Sequence, residues 1–145
     1  MAMERRPGYD LLVGRWTEEQ HRATIADESH LYFLGRGEKG EARGFVILRD
    51  LKLDTQSLCL KRIAVMEVSR GFGRSLLAAA ADWVFANTDT HRWLEVMENS
   101  ARAHHVYSSL GWREEGTARK AFKYPDSTRG NYIQMSILKH EWKMP

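Results

Sequence analysis

The stretch Arg70-Gly71-Phe72-Gly73-Arg74-Ser75 joins the end of an apolar run, Ile63-Ala64-Val65, to a run of helical character. A strand handing over to a helix leaves the first backbone N–H groups of that helix unpaired and directed at the loop. The helix dipole adds partial positive charge there, which favours an anion, commonly a phosphate. Glycines at 71 and 73 let a ligand approach the backbone with no Cβ in between. Arg70 and Arg74 add full positive charge, so a diphosphate is a reasonable guest. Two familiar phosphate patterns do not apply. The third residue after Gly73 is Leu76 where a dinucleotide fingerprint needs glycine or alanine, and no Gly-Lys-Ser/Thr follows. A glycine pair at such a turn also has a plainer use, letting a helix pack closely on a sheet.

Other reactive side chains are thinly spread. His104 and His105 are adjacent, and helical metal ligands come at i, i+4, so no metal site is read here; a solvated helix face or a rim position suits them. Cys59 is the only cysteine, which rules out an intramolecular disulfide and a cysteine cluster. In mid-strand it reads as a small buried apolar residue. Asn99 stands where it could cap the next helix. Trp16, Trp83, Trp93, Trp112 and Trp142 are scattered, a pattern of core and interface rather than a platform for stacking bases.

The elements that must position these groups follow from pattern. Thr17 with Gln20 has the form of a capping box, with Glu18 and Glu19 in the first turn, so a short helix is expected in WTEEQHRATIA. LYFL (31–34), GFVILRD (44–50) and SLCLKRIAV (57–65) read as strands. Residues 75–86 place Leu76, Leu77, Ala80, Trp83 and Val84 on one helical face. RWLEV (92–96) is the next strand. A helix over 101–110 carries Ala103, Val106, Tyr107 and Leu110 on one face and stops at Gly111. KAFKY and YIQMSILK close the chain as two strands around the turn-rich PDSTRGN. The expected fold class is mixed α/β (α+β-like), a central sheet with antiparallel and parallel strands flanked by helices. With no repeat or linker, residues 1–145 read as a single domain.

Composition narrows the function classes. At 145 residues and 43% hydrophobic content the chain can bury a core without metal or disulfide support. Its net charge of +3 is mild and its acidic residues interleave with the basic ones, which argues against a nucleic-acid partner. The first ten residues, MAMERRPGYD, lack the apolar centre of a secretion signal, and no run reaches membrane-spanning length. A soluble cytoplasmic protein with no membrane partner is expected.

Taken in order, these motifs resemble the GNAT N-acetyltransferase superfamily. RGFGRS is similar to that family's Arg/Gln-x-x-Gly-x-Gly/Ala pyrophosphate signature, and RIAV precedes it at the usual distance. LEVMENSARAHHVYSSLGW resembles the next strand and helix, and REEGTARKAF with GNYIQMSILKHEW is similar to the branch of ribosomal-protein N-terminal and polyamine acetyltransferases. The likeness runs over roughly 45–142. Ser75 replaces the final Gly/Ala, Ser100 falls where the family usually has asparagine with Asn99 one place earlier, and the region before Phe45 is short.

The resemblance implies a GNAT-like domain that uses acetyl-CoA as cosubstrate and no metal. It implies cofactor contacts from Ile63, Ala64, Val65, Arg70, Gly71, Phe72, Gly73, Arg74, Ser75, Asn99, Ser100, Ala103 and Tyr107. Acetyl transfer to an amine needs a proton acceptor, an N–H donor for the oxyanion and a proton for the leaving thiolate. It needs no protein nucleophile, because direct attack exploits positioning. The family resemblance assigns the oxyanion donor to backbone near Val65, where the central strand splays. Tyr107 corresponds to the tyrosine many members use as acid; as plain sequence it is also a core tyrosine. Glu95 corresponds to the base of one branch, and its place in an apolar strand favours a raised pKa. Pairing of Glu95 with an Arg or Lys, or a water relay in its place, stays open, and Glu98 and Glu67 rank below it.

The acceptor implied is an amine: a protein or peptide N-terminus, a polyamine or another small amine, antibiotic amines included. The acids of TEEQ and ADE suit a polyamine site, or simply a solvated helix and turn. A non-catalytic acyl-CoA-binding or regulatory module on the same fold is the alternative. The assembly state, homodimer included, is left open.

Overall fold

The computed structural model describes residues 17–66, 71–98 and 100–145. Arg70, Asn99 and Glu67 lie outside the described residues. In chain order the elements are α1 (Glu18–Ala26), β1 (Leu31–Arg36), β2 (Ala42–Arg49), β3 (Ser57–Val65), α2 (Phe72–Asn87), β4 (Arg92–Glu98), α3 (Ala101–Leu110), β5 (Arg113–Lys123) and β6 (Arg129–Leu138). The six strands form one sheet in the order β1-β2-β3-β4-β6-β5. β3 and β4 run parallel on either side of the α2 crossover, and every other neighbouring pair is antiparallel. This is the mixed sheet that the pattern of strands and helices predicts.

Most of the core lies on one face of the sheet. α2 buries Leu76, Leu77, Ala80, Ala81, Val84 and Phe85 against Val46, Leu48, Leu58 and Trp93, and α3 adds Tyr107 and Leu110. Each of the leucine, valine and phenylalanine side chains taken out of water contributes about 1.5–3 kcal/mol before the entropy of ordering the chain is charged against it. Trp83 departs from the expected helix face: it is half-exposed, with its ring edge-on to Phe33. The other face holds a smaller cluster of Phe45, Ile47 and Ala64. There α1 lies across β1 and β2, its His21 ring edge-on to Phe45 and 3.3 Å from the Tyr32 hydroxyl. The capping box at the start of α1 is formed in both directions between Thr17 and Gln20.

Several boundaries differ from expectation, those of α2 and β5 among them. α2 begins at Phe72 rather than Ser75, because Gly71 adopts φ 74° as its N-cap and starts the helix three residues earlier. β5 is not the short KAFKY segment but starts at Arg113; all but one of its residues are exposed at the sheet edge, so no apolar alternation marks it. The helix after β4 is capped by Ser100, whose hydroxyl accepts from the Ala103 N–H at 3.4 Å.

One irregularity sets up the site. The β3–β4 ladder spans only Ser57↔Arg92, Leu58↔Trp93 and Cys59↔Leu94. β3 then continues to Val65 along β2, and β4 to Glu98 along β6, with no ladder between them among the described residues. Between Arg62, opposite Ile47, and Leu60, opposite Leu48, the extra residue Lys61 makes a bulge in β3. An extra residue bends a strand and increases its local twist, which turns β3 away from β4 at this point.

Candidate functional site

Where β3 and β4 part, a groove of about 420 Å³ opens. β3 lines it with Ile63 and Val65, β4 with Glu95 through Glu98, α2 with Gly73 and Arg74, and α3 with Ala103 and Tyr107. Beyond Cys59 the edge of β3 that faces β4 has no strand opposite it among the described residues, so main-chain groups there are turned to the groove rather than to a ladder.

The α2 end of the groove is built for negative charge. Gly71 supplies no side-chain cap, so the first amides of α2 are left to outside partners. A Cβ on Gly73 would meet only the Val65 side chain, at 3.7 Å, and one on Gly71 would meet nothing within 4 Å, so ligand atoms can come up to this backbone. Arg74 and Arg102 line the same end. The Arg74 Nε–H donates to the Ser109 hydroxyl on α3 at 3.0 Å, which fixes the guanidinium across the α2–α3 cleft. Uncapped amides, open backbone and two cations suit an anion such as a diphosphate.

The centre of the groove holds two titratable groups out of water. Glu95 is 1% exposed. The Trp93 indole N–H donates to its Oε1 at 2.7 Å, and no Arg or Lys pairs with it among the described residues. Loss of solvation, partly offset by the Trp93 bond, raises the carboxyl pKa from its ordinary 4.5 to about 8. Tyr107 is buried, and its hydroxyl makes no hydrogen bond among the described residues. Burial first, and the nearby Glu95 charge second, push its pKa well above 10. The two groups therefore feel each other's charge without being joined by a bond of regular geometry. Trp112 stands edge-on to both the Trp93 and Tyr107 rings, at 5.5 and 5.4 Å, and locks the pair of supports together.

Of the residues expected from sequence, Ile63, Val65, Gly73, Arg74, Glu95, Ser100, Ala103 and Tyr107 all line this groove. Ala64 points its side chain into the cluster on the opposite face, so only its backbone is on offer. Phe72 turns away as well: its ring is where Cβ atoms on Gly35 and Gly44 would fall. Ser75 is exposed within α2, and its N–H closes the first turn onto the Gly71 carbonyl. Lys61, Arg62, Arg102, Phe122 and Tyr132 also line the groove and were missed by sequence reasoning. Arg102, in the first turn of a helix already implicated, carried a usable signal. The aromatic pair did not, since only strand register brings it there. His104 and His105 belong to no cluster of three or more metal-ligating side chains among the described residues.

Comparison with known proteins bears on this geometry. The profile of the acetyltransferase (GNAT) family matches residues 3–112. The ribosomal-protein-S18-alanine N-acetyltransferase of Escherichia coli superposes with a TM-score of 0.76 at 24% identity, over 94% of this chain and 83% of that one. The spermidine N-acetyltransferase of Vibrio cholerae, solved with CoA and spermine, gives 0.77 at 23% identity, over 86% and 74%. At these identities the likeness to solved structures is one of fold. Among the described residues no helix is long and apolar enough to cross a membrane.

Proposed function

Because the chain belongs to the acetyltransferase (GNAT) family, we propose that it transfers the acetyl group of acetyl-CoA to a primary amine by direct attack in a ternary complex. The observation that carries this reading is the burial of Glu95 and of the unpartnered Tyr107 hydroxyl in one groove, where β3 and β4 part. Acetyl-CoA supplies an activated acyl carbon and a good leaving thiolate.

The rest of the reaction falls to this chain's groups. Gly73, Arg74 and Arg102 hold the diphosphate. The Glu95 carboxylate takes the proton that the acceptor ammonium must lose before its nitrogen can form the new C–N bond. Main-chain N–H groups on the free edge of β3 face the oxygen that becomes negative. Tyr107 gives its proton to the sulfur as the C–S bond breaks. A phenol held well above 10 stays protonated at neutral pH and so remains a donor for a thiolate of ordinary pKa near 8.5.

Thiol release measured with acetyl-CoA and a panel of amines and short peptides tests this. Amine-dependent release is expected, and Tyr107→Phe lowers kcat by about a hundredfold or more. Acetyl-CoA affinity in the same variant falls far less. Tight acetyl-CoA binding without turnover on any amine would leave a coenzyme-binding module in place of an enzyme. Absence of acetyl-CoA binding would remove the reading altogether.

A further inference from the structure

Where β3 and β4 part, the groove is lined by side chains from both faces of the sheet, and the two faces carry different chemistry. Trp93, Glu95 and Met97 alternate toward the helices, so Glu98, an odd number of residues from Glu95, points to the opposite face. On β6 the register places Tyr132 directly across from Glu98, while Ile133, Met135 and Ile137 belong to the helix-side core. Phe122 on β5 packs edge-on against Tyr132 at 5.5 Å and against Tyr124 at 4.6 Å. Glu98, Phe122 and Tyr132 all line the groove.

The Glu98 Oε2 atom is shielded from water and has no hydrogen-bond partner among the described residues. Its carboxylate does interact with the Tyr124 hydroxyl, which raises that phenol's pKa. Lys61 and Arg62 line the groove from β3, but each already has a partner, and neither reaches this oxygen. A shielded carboxylate oxygen without a donor is costly unless something supplies one. Beside aromatic rings, the group that satisfies it best is an alkylammonium, which gives N–H donors to the oxygen and charge to the ring faces.

We propose that Glu98, Phe122 and Tyr132 form an acceptor subsite for a second cationic group, so that the preferred substrates are amines with another ammonium several bonds from the reacting nitrogen. The proposal rests on the amine-acetyltransferase reading and narrows it. Glu95 and Glu98 are separated by about 10 Å along β4, with side chains on opposite faces. A flexible diamine threading the gap places one nitrogen near Glu95 and the other at Glu98.

The test compares butane-1,4-diamine with butylamine, which has the same carbon chain and one cation fewer. Wild type is expected to prefer the diamine in kcat/KM by roughly tenfold, the scale of one charge-assisted contact worth about 1.4 kcal/mol. Glu98→Gln, nearly isosteric, should bring that ratio close to one, mainly through KM for the diamine, with melting temperature and acetyl-CoA affinity as controls on folding. An unaltered ratio in Glu98→Gln would overturn the subsite. Calorimetric titration of both amines into CoA-saturated protein separates this proposal from the one it rests on. Diamine binding that is lost in Glu98→Gln upholds the subsite even if no amine is acetylated, and equal binding of the two amines to wild type overturns it.

Discussion

Glu95 touches almost no water, and that burial holds its carboxyl protonated, while the Trp93 indole N–H, donating at 2.7 Å, partly offsets it in favour of the ionised form. The sign of its effect on stability follows from the raised pKa. Between 4.5, its value in an unfolded chain, and about 8 the folded protein keeps a proton that the unfolded chain has lost. Stability contributed by this group is thus full below pH 4.5 and falls as pH rises toward 8, at up to about 1.4 kcal/mol per pH unit. Melting temperatures across that window should show the decline in wild type and a flatter curve in Glu95→Gln, whose side chain carries no proton to lose. Activity should run the other way, with kcat rising through about pH 8 as the carboxylate forms. Trp93→Phe keeps an aromatic ring but removes the N–H that favours the ionised form. Its pH–rate profile should move to higher pH, whereas a purely structural loss of packing would lower the rate at every pH alike.

At the scale of elements, the position of α2 decides where the anion-binding amides sit. Its first residue, Phe72, lies over Gly44 of β2, where an added Cβ would come within 3.0 Å of the Phe72 ring, 3.1 Å of Leu76 and 3.1 Å of the Ala64 carbonyl oxygen. Gly44→Ala should cost about 1–3 kcal/mol, read as a shift in urea midpoint, because a carbonyl in a paired strand cannot step aside. It should also weaken acetyl-CoA binding by displacing the start of α2. Gly116→Ala, with nothing within 4 Å of the new atom, should fall within about 0.5 kcal/mol of wild type. Elements of this kind were legible in the sequence wherever local chemistry wrote them. The Thr17–Gln20 box, the Gly111 stop and the apolar run of β3 each lie within a few residues of what they specify. β5 was not legible beyond its last residues, since an exposed edge strand needs no apolar period. Half of the groove was hidden for another reason. Glu98, Phe122 and Tyr132 meet only through the pairing of β4 with β6 and the ring contacts between β5 and β6, and no local pattern encodes a register.

Across the whole molecule, two half-sheets, β1-β2-β3 and β4-β6-β5, are joined by a ladder of three residue pairs and by the helices that span them. A ligand in the groove touches both halves and adds a third connection. Binding to the folded state alone stabilises it by about 2.7 kcal/mol at a hundred times the dissociation constant, so acetyl-CoA should raise the melting temperature in a concentration-dependent way. The distribution of that gain is more telling than its size. Core amides of β2 are already held on both sides, by β1 and β3, and exchange only when larger parts of the fold open. Leu60 to Val65 of β3 and Glu95 to Glu98 of β4 each lack a strand neighbour on the groove side. Hydrogen exchange with and without acetyl-CoA should therefore show protection concentrated in these two segments and in the first turn of α2, with little change in β1 or β5. Protection spread evenly over the sheet would mean that the ligand stabilises the fold from elsewhere, and the parting of β3 from β4 would lose its claim to be the site.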